Sequence, residues 1–200
     1  MDRLRGQLSP ERLVALGLVL GERTFIARNA YLDPGWPWLI TIGDQATLGP
    51  GVIVLAHDAS MQRHIRRTRI APVVIGNRAF IGAGAIVLAG STIGEDAIVG
   101  AGAVVRGDVP AGAVVIGNPA SVVADVASMA QRHLDAASGA PSWPHDGWTL
   151  LNGITDERKR IQREALAAGI SGYLEWPDGL RSDGLSKPHT RRIMLRRTHR

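Results

Sequence analysis

Aliphatic residues recur every sixth position from Ile75 to Val109, in the segment IGNRAF-IGAGAI-VLAGST-IGEDAI-VGAGAV-VRGDV. They fall at Ile75, Ile81, Val87, Ile93, Val99 and Val105, and the fifth place of each unit is Ala79, Ala85, Ser91, Ala97, Ala103 and Val109. The second place reads Gly76, Gly82, Leu88, then Gly94, Gly100, Arg106, so the full period is three hexapeptides. Neither the 3.6-residue period of a helix nor the two-residue alternation of a strand produces this pattern. A coil of short strands with three flat sides does. Each hexapeptide makes one side, the aliphatic residue points inward, and small residues and glycines turn the corners. The predicted fold class is an all-β solenoid.

The same register appears upstream at Ile42, Leu48 and Val54, and in ragged form at Ile26 and Leu32, where Pro34, Pro37 and Trp38 interrupt it. Between Val54 and Ile75 the pattern breaks, and about fifteen residues leave the coil as a loop, placed at 58–74. Ser9-Pro10-Glu11 reads as a helix start, a serine cap with proline in the first turn. Leu13, Leu16 and Leu20 follow at helical spacing up to Gly21, giving a capping helix within 1–23. The coil then spans 24–120, ending at Asn118-Pro119. Ser121 to Ala137 reads as a helix, and Thr155 caps another running to Ala168, so 121–186 is expected to be a helical C-terminal extension. Trp143, Trp148, Tyr173 and Trp176 are expected to fasten that extension to the coil or to a second subunit.

Composition narrows the chemistry. The chain has no cysteine, which excludes disulfides, a thiol nucleophile and cysteine-ligated zinc. The net charge is +5, but the tail 187–200 carries +6 through Lys187, Arg191, Arg192, Arg196, Arg197 and Arg200, leaving −1 on the rest. A basic tail is not a basic binding face, so nucleic acid is not the expected partner. The tail is either a solvated end or a contact for an anionic partner or neighbouring subunit. No apolar run is long enough to span a membrane, and the Leu13–Leu20 run lacks the flanks of a signal peptide. A cytoplasmic location is expected.

The loop opens at Leu55-Ala56-His57-Asp58-Ala59-Ser60. An imidazole at the point where the chain leaves a rigid strand is suited to taking a proton near neutral pH; the alternative is a polar turn residue. His64, further along the loop, is read as a loop residue rather than a second base. Arg63, Arg66, Arg67 and Arg69 follow, either facing an anionic acceptor or forming a solvated or subunit-facing loop.

The repeat array, the loop opening LAHDAS and the ending VVRGDVPAGAVVIGNPA together resemble the hexapeptide-repeat acyltransferases, most of all the galactoside and maltose O-acetyltransferase group. The resemblance covers about residues 24–125. It implies a left-handed parallel β-helix, a homotrimer with sites between subunits, and acetyl-CoA (or another acyl-CoA) as co-substrate, with no metal required. It also implies His57 as general base, acting on a hydroxyl of a sugar or glycoside. It places Asn29, Asp33 and Phe80 among acceptor-binding residues; Phe80 stands where many relatives have tryptophan and either walls the acyl or acceptor pocket or fills a corner. It assigns Ala83 and Ala101 to the pantetheine arm, and Arg106 and Gly107 to a stretch where relatives often have threonine and lysine. Ser121 and Ala124 replace basic residues common in the family, so Arg106, Arg132 or the tail would have to meet the phosphates of coenzyme A. N-acyl transfer to an amino sugar or other small amine, and a non-catalytic scaffold, are the alternatives. A β-helical carbonic anhydrase would need three histidines on zinc, and the coil region contains only His57 and His64.

Overall fold

The computed structural model describes residues 8–176, so the tail 187–200 lies outside the described residues. They divide into two compact units, meeting at Ala136–Ala137.

The first unit is a parallel coil with three sheets. Helix α1 (Pro10–Ala15) is capped by Ser9, whose hydroxyl accepts from the Arg12 amide. The first turn then comprises β1 (Val19–Leu20), β2 (Phe25–Ile26) and β3 (Tyr31–Leu32). The second comprises β4 (Ile40–Ile42), β5 (Thr47–Leu48) and β6 (Ile53–Val54). The chain leaves the coil through β7 (His57–Asp58), the short helix α2 (Gln62–Ile65) and β8 (Arg69–Ile70), which pairs antiparallel with β7. It resumes with β9 (Val73–Ile75), β10 (Phe80–Ile81) and β11 (Ile86–Val87), then β12 (Thr92–Ile93), β13 (Ile98–Val99) and β14 (Val104–Val105). β15 (Asp108–Val109) and β16 (Ala113–Ile116) begin a last turn.

Register follows the six-residue pattern. Leu20, Ile42, Ile75, Ile93 and Val109 pair in sequence down one side. Ile26, Leu48, Ile81, Val99 and Val115 line the second. Leu32, Val54, Val87 and Val105 line the third. Nearly all of these are buried, as are the corner residues Ala46, Ala79, Ala85, Ala97 and Ala103. The corners differ. Between the first and second sides, Arg23, Gln45, Arg78 and Asp96 hold positive φ; between the second and third, Gly51, Gly84 and Gly102 do.

Three expectations need correction. The N-terminal helix stops at Ala15, because Gly17 adopts φ +105° and Leu18 turns into the core. Val19–Leu20 is therefore a strand and the coil starts before residue 24; Leu16 is exposed, so the helical spacing did not mark a buried face. Val109 is not a corner residue but an inward rung opposite Ile93, because the corner after Val105 is two residues short. Ser121–Asp125 is a strand, β17, returning antiparallel along β16 after the cis Asn118–Pro119 bond. Two β-branched valines beside an open sheet edge favour pairing over helix. Helix α3 (Val126–Ala137) begins only after it, with Asp125 Oδ1 accepting from the Ser128 amide.

In the second unit, β18 (Ser142–Pro144) pairs in parallel with β19 (Tyr173–Glu175). Helix α4 (Asp156–Ala165) lies between them, capped by Thr155 as expected but ending three residues before Ala168. The tryptophans expected to fasten the extension pack locally: Trp143 stacks on Trp148 with centroids 5.8 Å apart, and Trp176 on His145 at 3.9 Å. Among the described residues, no helix is long and apolar enough to cross a membrane.

Candidate active site

The corner between the third and first sides carries two insertions. The corner after β3 is widened by Pro34-Gly35-Trp36-Pro37-Trp38, and the one after β6 by the β7–α2–β8 excursion. Because Leu32 pairs with Val54, the two insertions begin side by side. This brings Asp33 and His57 together, and Asp33 Oδ2 accepts from His57 Nδ1.

The Asp33 carboxylate is fully occupied. Oδ1 accepts from the Gly35 amide at 3.0 Å, closing an Asx turn across Pro34, and Oδ2 also accepts from the Ala56 amide at 3.0 Å. Its relative exposure is 0%. Expected among the acceptor-binding residues, Asp33 is turned towards the imidazole and the two amides rather than towards solvent. With Asp33 ionised, a neutral ring donates to it from Nδ1 and keeps its lone pair on Nε2. The His57 side chain is 30% exposed, partly open to solvent. Trp36 packs against the ring, centroids 4.5 Å apart at 41°. Sequence reasoning missed Trp36; the signal was an aromatic residue in the segment that disturbs the repeat.

The neighbouring residues have separate duties. Asp58 does not join His57. Its Oδ1 accepts from the Ser60 amide at 2.9 Å, which holds its carboxyl below the usual range, with Arg69 and Arg106 contributing through charge. Arg69 donates to the Ala89 carbonyl at 2.8 Å and lies over Gly90, pinning the returning arm of the loop to the next turn. Arg106 is exposed at the same corner, two turns beyond His57. The Gly107 amide donates to the buried Ser91 hydroxyl at 3.2 Å, so it is engaged within the coil.

Asn29 and the alanines lie elsewhere. Asn29 is an exposed turn residue at the opposite end of the third side, in register with Gly51, Gly84 and Gly102. Ala83 and Ala101 sit exposed at that same corner, joined by the Gly102 amide donating to the Ala83 carbonyl at 2.9 Å. A Cβ on Gly84 or Gly102 would meet nothing within 4 Å, so this corner presents bare backbone to any molecule laid along it. Phe80 is 45% exposed on the second side, between Thr47 and Ile98. Within one chain, Ala83 and Ala101 are therefore a full side of the coil away from His57. Among the described residues, no group of three or more His, Cys, Asp or Glu side chains gathers where it could hold a metal ion.

A three-sided coil of hexapeptides with a loop extruded at one corner is the architecture of the hexapeptide-repeat transferases. Comparison with known proteins agrees. Residues 72–107 match the bacterial transferase hexapeptide family (six repeats). Protein CapG of Staphylococcus aureus is 32% identical over 139 residues, 67% of this chain and 81% of that protein. Putative acetyltransferase YvoF of Bacillus subtilis (strain 168) is 34% identical over 58% of this chain, which spans just under two thirds, 66%, of that protein. A hexapeptide-repeat acetyltransferase of Vibrio cholerae O1 biovar eltor, solved with acetyl coenzyme A, is 32% identical with a TM-score of 0.50, over 55% of this chain and 61% of its own. A galactoside acetyltransferase solved with coenzyme A shares the fold, with a TM-score of 0.52 at 21% identity over 63% of this chain and 77% of its own. The chain belongs to the hexapeptide-repeat transferase family, and membership implies a left-handed coil.

Proposed function

We propose that this protein transfers an acyl group, most simply acetyl from acetyl-CoA, to a hydroxyl of a sugar or glycoside, with His57 as general base. The observation that carries the reading is the His57–Asp33 pair. Asp33 orients the ring and leaves Nε2 able to accept a proton. Nε2 takes the proton of the acceptor hydroxyl as its oxygen attacks the thioester carbon. The C–S bond then breaks, and Nε2–H returns the proton to the departing thiolate. Asp33 stabilises the imidazolium between those steps, as buried carboxylates do beside catalytic histidines. No covalent enzyme intermediate is required.

The donor fits the bare corner at Ala83 and Ala101, where backbone lies open. That corner and His57 are separated by one hexapeptide side, up to about 20 Å at some 3.3 Å per residue. A site combining them forms most directly between two coils packed side by side, which supports a homotrimer with sites at its interfaces. The relatives named as acetyltransferases, and the Vibrio protein solved with acetyl coenzyme A, support the donor. The galactoside enzyme supports the sugar acceptor by analogy of fold.

The test is release of free coenzyme A from acetyl-CoA across a panel of sugars, with wild type and His57→Ala. Loss of release in the variant supports the assignment. Unchanged turnover would remove His57 as the base, and no release with any acyl-CoA would favour a scaffold.

A further inference from the structure

We propose that the acceptor carries an anionic substituent, a carboxylate or phosphate, bound by Arg63, Arg66 and Arg67 of the extruded loop. This rests on the acyltransferase reading above and deepens it by naming the acceptor class.

Beyond Asp58 the charge of the loop is of one sign. From Ala59 to Gly94 the sequence contains no acidic residue, yet it holds Arg63, Arg66, Arg67, Arg69 and Arg78. Two of these are already committed. Arg69 donates to the Ala89 carbonyl, and Arg78 pairs with Asp96 and Glu95. Arg63, Arg66 and Arg67 are exposed and form no ion pair among the described residues. The one acid at the root of the loop, Asp58, has Oδ1 on the Ser60 amide and already lies under the influence of Arg69 and Arg106. Counting Asp58 against the four loop arginines, the segment 58–72 carries +3, whereas the chain outside its tail totals −1. A concentrated charge of one sign on an otherwise slightly acidic body repels itself, and at a cleft it draws in ions of the opposite sign.

Position then selects the ligand. The loop is rooted at the base: β7 begins with His57, and Ile70 pairs with it across the returning arm. Arg66 takes the left-handed conformation, φ 53°, that ends α2 and turns the chain back towards β8. The arginines thus belong to a short arch rooted at the strand that carries the imidazole, whereas the bare corner at Ala83 and Ala101 is a full side away. The hydroxyl that surrenders its proton must lie at His57, at the root of the loop that carries these guanidinium groups. Guanidinium recognises carboxylate and phosphate in a paired, directional geometry. The phosphates of coenzyme A share that chemistry, and the experiment separates the two sources.

The measurement is kcat and KM by coenzyme A release for matched acceptors: glucose against glucuronate and glucose 6-phosphate, and galactose against galacturonate. Wild type is compared with the Arg63→Ala/Arg66→Ala/Arg67→Ala variant. The expected result is a kcat/KM at least about tenfold higher for the acidic member of a pair, a preference the variant loses through acceptor KM. The KM for acetyl-CoA and turnover of the neutral member stay within about twofold. Equal or better turnover of the neutral sugars by wild type overturns the proposal. So does a rise confined to the acetyl-CoA KM, which would assign the arginines to the donor's phosphates. Failure of the underlying acyltransferase reading looks different: no coenzyme A release from any pairing, in wild type and variant alike, and the proposal falls with it.

Discussion

At the scale of single residues, the carboxylate at Asp33 and the imidazole at His57 have meaning only as a pair. Replacing His57 by Ala is expected to lower kcat by about 10²–10⁴-fold, read by coenzyme A release. Asp33→Asn keeps the shape but offers an amide where the ring needs an acceptor. It is expected to cost about 10- to 1000-fold in kcat while the KM for acetyl-CoA holds. The two losses should not add, since both remove one device; a double variant much slower than His57→Ala alone would show that Asp33 acts elsewhere. The candidate base, His57, was legible in sequence from its place at the loop opening together with the family resemblance. The role of Asp33 was not. A position before proline in a disturbed repeat reads as a turn residue, and it does close such a turn through Gly35. Its second oxygen meets the imidazole only because Leu32 pairs with Val54 and sets the two insertions side by side.

Elements are held by stacking rather than by length, since most strands of the coil have only two residues. Ile81 is fully buried between Leu48 and Val99, and truncating it to Ala is expected to cost about 2–5 kcal/mol in denaturant unfolding. Glycines divide by what surrounds them. A Cβ on Gly94 would come within 2.3 Å of the Ala111 amide nitrogen, whereas Gly102, at φ +69°, has open space. Gly94→Ala is therefore expected to lower the melting temperature more than Gly102→Ala, which carries only backbone strain of about 1 kcal/mol. The reverse order would show that the coil yields at that corner. The Arg78 clamp is electrostatic and exposed. It depresses the Asp96 carboxyl chiefly by hydrogen bonding, so its contribution is present above the ordinary carboxylate pKa and lost as pH falls through the lower folded value. Arg78→Ala should shift melting by no more than about 2 °C near pH 7, with the difference fading at more acid pH and in high salt. The six-residue pattern made these elements readable; Leu20 keeps that register six residues before Ile26 but was masked by its helical spacing from Leu13 and Leu16, and Ser121–Asp125 escaped it because its partner is the sheet edge at β16.

For the whole molecule, His57 and the alanine corner stand at opposite ends of one side of the coil. Light scattering on the purified chain is expected to give three times the monomer mass. A monomer retaining full activity would exclude a site shared between copies. The division into two compact units adds a second level. Within the C-terminal unit, Trp143 stacks on Trp148 and Trp176 on His145.

The hexapeptide period by itself determined the three-sided coil, its buried aliphatic columns and the place where the chain departs from it. A repeat whose inward residue returns every sixth position admits few other ways of burying that residue. The tertiary structure decided which side chains meet. Pairing between turns brings Asp33 beneath His57 and packs Trp36 on the ring across a sequence gap of more than twenty residues. No local spacing encodes that meeting, because it depends on how two insertions of unequal length fold back over one corner.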